Sequence, residues 1–170
     1  MDPKDRLPAE WPDFDPRRIL GELVGAGVDF VVIGGFAVLL HGYPRVTRDL
    51  DIAFAYDDEN LAALGRVLKK LDARLRGVED VKFVPDGRTL SGIELLTLDT
   101  AAGWLDVHRL PAGVPNYAGL RERAERMNLE NVSVLVASPD DLIAMKEAAG
   151  RPQDRIDIAA LETIKRLREY

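Results

Sequence analysis

Two carboxylates one residue apart carry the first chemical suggestion in this 170-residue chain. Asp49-Leu50-Asp51-Ile52-Ala53-Phe54 has the alternation of a strand, in which residues i and i+2 point to the same face. Asp49 and Asp51 then stand side by side on an otherwise apolar strand. They repel one another and lose hydration there unless a cation joins them. An exposed acidic strand edge is the plain alternative, but Leu50, Ile52, Ala53 and Phe54 argue against full exposure. A third acid, Asp106, lies on a later run of bulky apolar residues. With Asp49 and Asp51 it would complete a triad able to hold two magnesium ions, which clamp the attacking and leaving oxygens of a phosphoryl transfer. Asp99 is a rival with an ordinary explanation as a turn residue. His108 shares a face with Trp104 and Asp106, and a structural histidine is the favoured reading for it.

Gly34-Gly35 closes the apolar run before this strand and opens a short apolar segment. A helix N-terminus exposes unpaired N–H groups, and glycine lets an anion approach the backbone. A tight turn requiring positive φ explains the same pair equally simply. Neither GxGxxG nor GxxxxGK[ST] is present, which removes the dinucleotide-fold and P-loop readings. Lys146 falls inside the apolar stripe of a later helix, four residues after Leu142. Either its stem covers apolar surface while its ammonium reaches solvent, or the ammonium reaches toward nucleotide phosphates. Arg151, Asp154 and Asp157 follow; the two acids suit the first turn of a helix on dipole grounds alone.

Composition narrows the chemistry. There are no cysteines and only two histidines, so thiolate and His-rich metal sites are excluded, whereas 29 acidic residues leave room for a hard, oxygen-liganded cation. A formal net charge of −6 speaks against an extended nucleic-acid-binding surface. The first residues lack the apolar core of a secretory signal, and no apolar run is long enough to span a bilayer. A cytoplasmic protein is expected.

The elements needed to position these residues can be read in order. Residues 1–13, with three prolines, are expected to be a flexible lead-in. Asp15-Pro16 starts a helix that Gly27 stops. Val28–Ile33 is a buried strand, Phe36–His41 a short buried helix closed by Gly42, and Asp49–Tyr56 a second strand. Asp57 or Asp58 caps an amphipathic helix with Leu61, Leu64, Leu68 and Leu71 on one face. Between Arg74 and Leu90 the pattern weakens to loops with a short strand near Val81–Val84. Ile93–Leu98 and Gly103–Leu110 form a hairpin through Thr100–Gly103. A helix over Asn116–Arg126 and a strand over Val132–Val136 follow. Ser138-Pro139-Asp140-Asp141 starts a helix ended by Gly150, and Pro152 begins the last one. The expected fold is mixed α/β (α+β): a mixed sheet flanked by helices over residues 14–137, with a helical pair over 138–170 packed on that core.

Taken whole, VVIGGFAVLLHGYPRVTRDLDIAF resembles the first motif of the nucleotidyltransferase superfamily related to DNA polymerase β. More narrowly it resembles the AbiEii-type nucleotidyltransferases, toxins of type IV toxin–antitoxin systems. The run SPDDLIAMKEAAGRPQDRIDIAAL is similar to their second block. The resemblance implies that Gly34 and Gly35 hold the triphosphate, that Asp49 and Asp51 bind magnesium, and that Asp106 is the third acid. It also implies that Lys146 contacts nucleotide phosphates with Asp157 in support, while Thr47 and Arg48 lead into the metal strand. Gly35 departs from the serine of many members, and the chain is shorter than many AbiEii toxins. The implied activity is magnesium-dependent transfer of a nucleoside monophosphate from an NTP such as ATP to an acceptor hydroxyl on tRNA or protein. A cognate antitoxin would be a partner, and no membrane would be involved. A small-molecule (antibiotic) nucleotidyltransferase and an inactive nucleotide-binding module are the alternatives.

Overall fold

A computed structural model describes residues 13–170; the expected lead-in lies outside the described residues except for Asp13. Among the described residues the sheet has seven strands, in the order β3 (Arg74–Leu75), β4 (Leu95–Thr100), β5 (Gly103–His108), β2 (Asp49–Phe54), β1 (Phe30–Ile33), β7 (Val132–Val136) and β6 (Glu125–Leu129). Helix α1 (Pro16–Gly25) starts where Asp15 accepts from the Arg18 backbone N–H, and it buries Ile19, Leu20 and Leu23. Strand β1 (Phe30–Ile33) is buried along its whole length, as its unbroken apolar run requires. The chain then turns directly into α2 (Gly34–Leu40) and returns as β2 (Asp49–Phe54), antiparallel to β1. Asp57 caps α3 (Asp58–Lys70), whose leucine stripe joins Leu50, Ile52, Leu105 and Val107 in one core.

Strand β5 (Gly103–His108) lies parallel to β2, with Leu50 opposite Leu105 and Asp51 opposite Asp106. Because paired residues share a face, the same register buries the leucines on one side of the sheet and gathers the carboxylates on the other. Strand β4 (Leu95–Thr100) forms the expected hairpin with β5. Strand β7 (Val132–Val136) is parallel to β1 on its far side.

Three local expectations need correction. Val81–Val84 is not a strand; Val81 and Val84 are exposed, and the edge strand in this region is the two-residue β3 (Arg74–Leu75), followed by the short helix α4 (Gly87–Ser91). Helix α5 (Tyr117–Arg123) stops before Arg126, because Glu125 opens an edge strand, β6 (Glu125–Leu129), paired with β7. Its side chains alternate between half-buried and exposed, a period-two pattern hidden by the adjoining helix. Asp99 is not at a hairpin tip but within β4, opposite Arg74 and Trp104.

Helix α6 (Pro139–Ala149) is capped by Ser138 and ends at Gly150, whose φ of 64° lets the chain reverse into α7 (Pro152–Arg168). The two helices pack on each other and on α2. Near the far end of α7, Arg168 donates to His41 Nδ1 at 3.1 Å and to Glu125 at 2.7 Å, tying the helix to α2 and β6. No helix among the described residues is long and apolar enough to cross a membrane.

Candidate active site

Register alone brings Asp51 of β2 beside Asp106 of β5, and Asp49 is two residues back on the same face. One carboxylate oxygen from each of the three lies within 4.8 Å of the others. Asp106 is buried, while Asp49 and Asp51 are half-buried. Three clustered carboxylates are a hard, anionic donor set of the kind that magnesium-class cations select, so the residues fit such an ion.

The glycine pair is built around this cluster. Gly34 has φ of 71°, and a Cβ placed on it would come 2.5 Å from Asp51 Oδ2. The residue therefore needs both left-handed backbone and the absence of a side chain. A Cβ on Gly35 would instead lie 3.0 Å from the Arg45 guanidinium carbon. The turn thus brings one glycine against a candidate metal ligand and the other against a cation.

Arg45 belongs to a second, buried charge network. It pairs with Asp157, which is fully buried and also receives Lys146 Nζ at 2.8 Å and Gln153 Nε2 at 3.2 Å. Lys146 lies 3.5 Å from Asp154, and Arg151 caps the same carboxylate through its side chain and backbone N–H, each at 2.9 Å. Burial pushes the Asp154 carboxyl up, but the Arg151 hydrogen bonds and the charges of Arg151 and Lys146 outweigh it and leave the group below the usual carboxylate range. The Arg151 guanidinium is raised chiefly by its hydrogen bond to Asp154, with further contributions from Asp51 and Asp49. The two networks therefore act on one another electrostatically.

Both networks line a single open cleft of about 620 Å³. Every residue singled out from the sequence for the site lines it: Gly34, Gly35, Thr47, Arg48, Asp49, Asp51, Asp106, Lys146 and Asp157. Thr47 donates its hydroxyl to the Asp49 carbonyl at 3.1 Å, which steadies the entry to β2. Asp99 does not line the cleft. His108 is no buried structural histidine: it faces the acids, with Nε2 3.1 Å from Asp51 Oδ1. Asp154 and Asp157 are fixed by ion pairs within the cleft wall, so the helix dipole alone does not account for them.

Sequence reasoning missed Arg45 and Arg76. Arg45 precedes the acid strand by four residues, and only its partner 112 positions away gives it meaning. Arg76 lies in the stretch read as loop; its Nη2 donates to Asp106 Oδ1 at 2.7 Å. An arginine between Leu75 and Gly77, two residues after Arg74, carries no periodic signal that marks it.

Comparison with known proteins bears on the fold and the family. No curated protein matches the chain significantly by sequence. Among solved structures, the lincomycin-bound lincosamide antibiotic adenylyltransferase LnuA is similar, with a TM-score of 0.61 at 18% identity over 89% of this chain and 99% of that one. ANT(2")-Ia in complex with adenylyl-2"-tobramycin gives a TM-score of 0.55 at 15% identity, over 91% of this chain and 92% of that one. A solution structure of ANT(2'')-Ia gives 0.56 at 15%, over 91% and 87%. At these identities the likeness establishes the fold. The family profile described as "Nucleotidyltransferase of unknown function (DUF6036)" matches residues 22–168, nearly the whole described chain, and on that match the protein belongs to this nucleotidyltransferase family.

Proposed function

We propose that the cleft transfers a nucleoside monophosphate from an NTP to an acceptor hydroxyl and releases pyrophosphate, with magnesium as the required ion. One observation carries the reading: three acids from two strands converge beside a glycine turn and a cationic wall in the same cleft. The acceptor oxygen forms a bond to the α-phosphorus, the bond from that phosphorus to the bridging oxygen breaks with pyrophosphate as the leaving group, and the acceptor proton passes to solvent water. A bound divalent cation supplies Lewis-acid chemistry, stabilising charge on the phosphoryl oxygens and lowering the acceptor's pKa. In this reading Asp49, Asp51 and Asp106 hold the ion, two of them if both of the expected magnesium sites fill.

The remaining assignments follow from charge. Gly34 and Gly35 leave room for the triphosphate, with Thr47 and Arg48 at its flank. Arg45, which lies against Gly35, offers positive charge together with Lys146 and Arg151, and the buried acids Asp154 and Asp157 hold those cations in place. Lys146 is engaged by Asp157 and Asp154, so it contributes to phosphate binding as a fixed charge more than as a mobile arm.

The acceptor divides this proposal. The two sequence blocks resemble AbiEii-type toxins, which supports tRNA or protein as acceptor, a cognate antitoxin as partner and a cytoplasmic setting. A second reading takes a small cationic molecule as acceptor. Its support is the net charge of −6 and the fold likeness to two antibiotic-modifying enzymes over nearly their full length. Incubation with α-labelled NTPs and magnesium, offering tRNA, total protein or aminoglycoside and lincosamide compounds in turn, separates the acceptors. Label on any of them that disappears in Asp49→Ala supports transfer; equal labelling by wild type and variant refutes it. Tight NTP binding with no transfer to any acceptor leaves a nucleotide-binding module.

A further inference from the structure

The cation at Asp106 is unusual in its placement. Arg76 follows the two-residue edge strand β3, and its backbone N–H donates to the Thr97 carbonyl at 2.9 Å, continuing the β3–β4 pairing by one residue. From there its side chain crosses β4 to reach β5. Only 7% of that side chain is exposed, and the guanidinium carbon sits 4.6 Å from the Trp104 ring centroid. Nη2 bonds both Asp106 Oδ1 at 2.7 Å and the Leu98 carbonyl at 3.0 Å. Its Nε is buried with no hydrogen-bond partner.

A residue whose task was to pack on Trp104 would do better as methionine or leucine, with no orphaned N–H and no charge to desolvate. The charge must therefore act on its neighbour. Three carboxylates within 4.8 Å repel one another, and Asp106 is the most buried of them. A fixed guanidinium at 2.7 Å places a positive charge beside Asp106 and restricts the rotation of its carboxylate. It also reduces the negative potential that draws in a cation.

We infer that Arg76 is a positioning residue acting through Asp106: a built-in counter-ion that orients the third acid and weakens divalent-cation binding until the nucleotide arrives. This rests on reading the acid triad as a metal site. Its consequence is that metal and triphosphate load together, because the empty site is less anionic than its three acids alone would make it.

The test is nucleotide-free Mn²⁺ binding, followed by electron paramagnetic resonance, alongside steady-state kinetics. Arg76→Met retains apolar cover over Trp104 and removes the charge. A divalent ion about 6 Å from a lost unit charge gains on the order of tenfold in affinity, even at the dielectric of water. Tighter Mn²⁺ binding by about that factor, together with a fall in kcat at nearly constant KM for NTP, supports the inference. Unchanged or weaker Mn²⁺ binding overturns it, because a merely structural arginine would not set that affinity. If Arg76→Met fails to fold, Arg76→Gln removes the charge and keeps an N–H donor for Asp106. Mn²⁺ affinity raised on the order of tenfold then supports the inference, and unchanged or weaker affinity overturns it. Asp49→Asn separates the two levels. If it leaves Mn²⁺ binding intact the metal site itself is wrong, whereas if it abolishes binding and Arg76→Met changes nothing, only the role of Arg76 falls.

Discussion

A single methyl group at Gly34 should disable the site with limited harm to the fold. Gly34→Ala places a Cβ 2.5 Å from Asp51 Oδ2 and 2.9 Å from both Asp51 Cβ and Cγ. Asp51 cannot retreat with its backbone, because it pairs with Ile33 on one side and Asp106 on the other. Rotation of the carboxylate by something near an ångström relieves the Oδ2 and Cγ contacts, and the contact at Cβ, which no rotation moves, must be met by a shift of a few tenths of an ångström in the Gly34 turn. Alanine at φ of 71° adds left-handed strain of about 1–2 kcal/mol. With partial relief of the clash, a total loss of about 1–3 kcal/mol is expected, or a melting temperature lower by roughly 3–10 °C for a chain of this size. Displacing a reacting-centre ligand by about 1 Å costs on the order of a hundredfold in rate. The variant should therefore remain folded by circular dichroism, bind Mn²⁺ weakly and transfer nucleotide at about one hundredth of the wild-type rate. Gly35→Ala is the comparison, since its Cβ meets the flexible end of Arg45 rather than Asp51, and a smaller defect is expected. A folded Gly34→Ala protein with wild-type Mn²⁺ affinity and turnover would refute the reasoning.

Two further outcomes follow from the buried network. Lys146→Met removes a cation from between two buried carboxylates and, with Arg45 and Gln153 still holding Asp157, should cost about 2–4 kcal/mol, measured by urea unfolding. A loss below about 0.5 kcal/mol would show that the pair contributes little. Asp154 has a depressed folded-state pKa, so its contribution to stability is present above the unfolded value near 4 and is lost as pH falls through the folded value. The stability difference between wild type and Asp154→Asn should accordingly shrink as pH falls below about 4; a difference independent of pH on that acid side would contradict the assigned shift.

How far these residues could be read in advance depended on whether their signals were local. The β2 acids are visible because alternation places Asp49 and Asp51 on one face without knowledge of any neighbour. Helices α1, α3 and α6 carry their own caps at Asp15, Asp57 and Ser138, so their starts are written in adjacent residues. Asp106 stood out because an acid in an apolar strand requires a partner. Arg45 and Arg76 did not stand out, since their meaning lies in Asp157 and Asp106, far along the chain. The β3–α4 region is illegible in sequence because a two-residue edge strand is held by its neighbour β4, and no hydrophobic period within it forecasts that pairing. His108 was read as structural because sequence gives its face but not the Asp51 carboxylate opposite. The glycine turn keeps its importance, but the cause has shifted: Gly34 is needed by Asp51 before any phosphate is considered.

The central claim is that Asp49, Asp51 and Asp106 hold the metal at which nucleotide is transferred. Crystals containing Mn²⁺ and a non-hydrolysable NTP, measured at the manganese absorption edge, test it most directly. An anomalous peak is expected at about 2.0–2.3 Å from carboxylate oxygens of Asp49 and Asp51, with the triphosphate between that peak and Gly34. A fully bound nucleotide with no anomalous peak at these acids, or with its peak elsewhere on the protein, would contradict it.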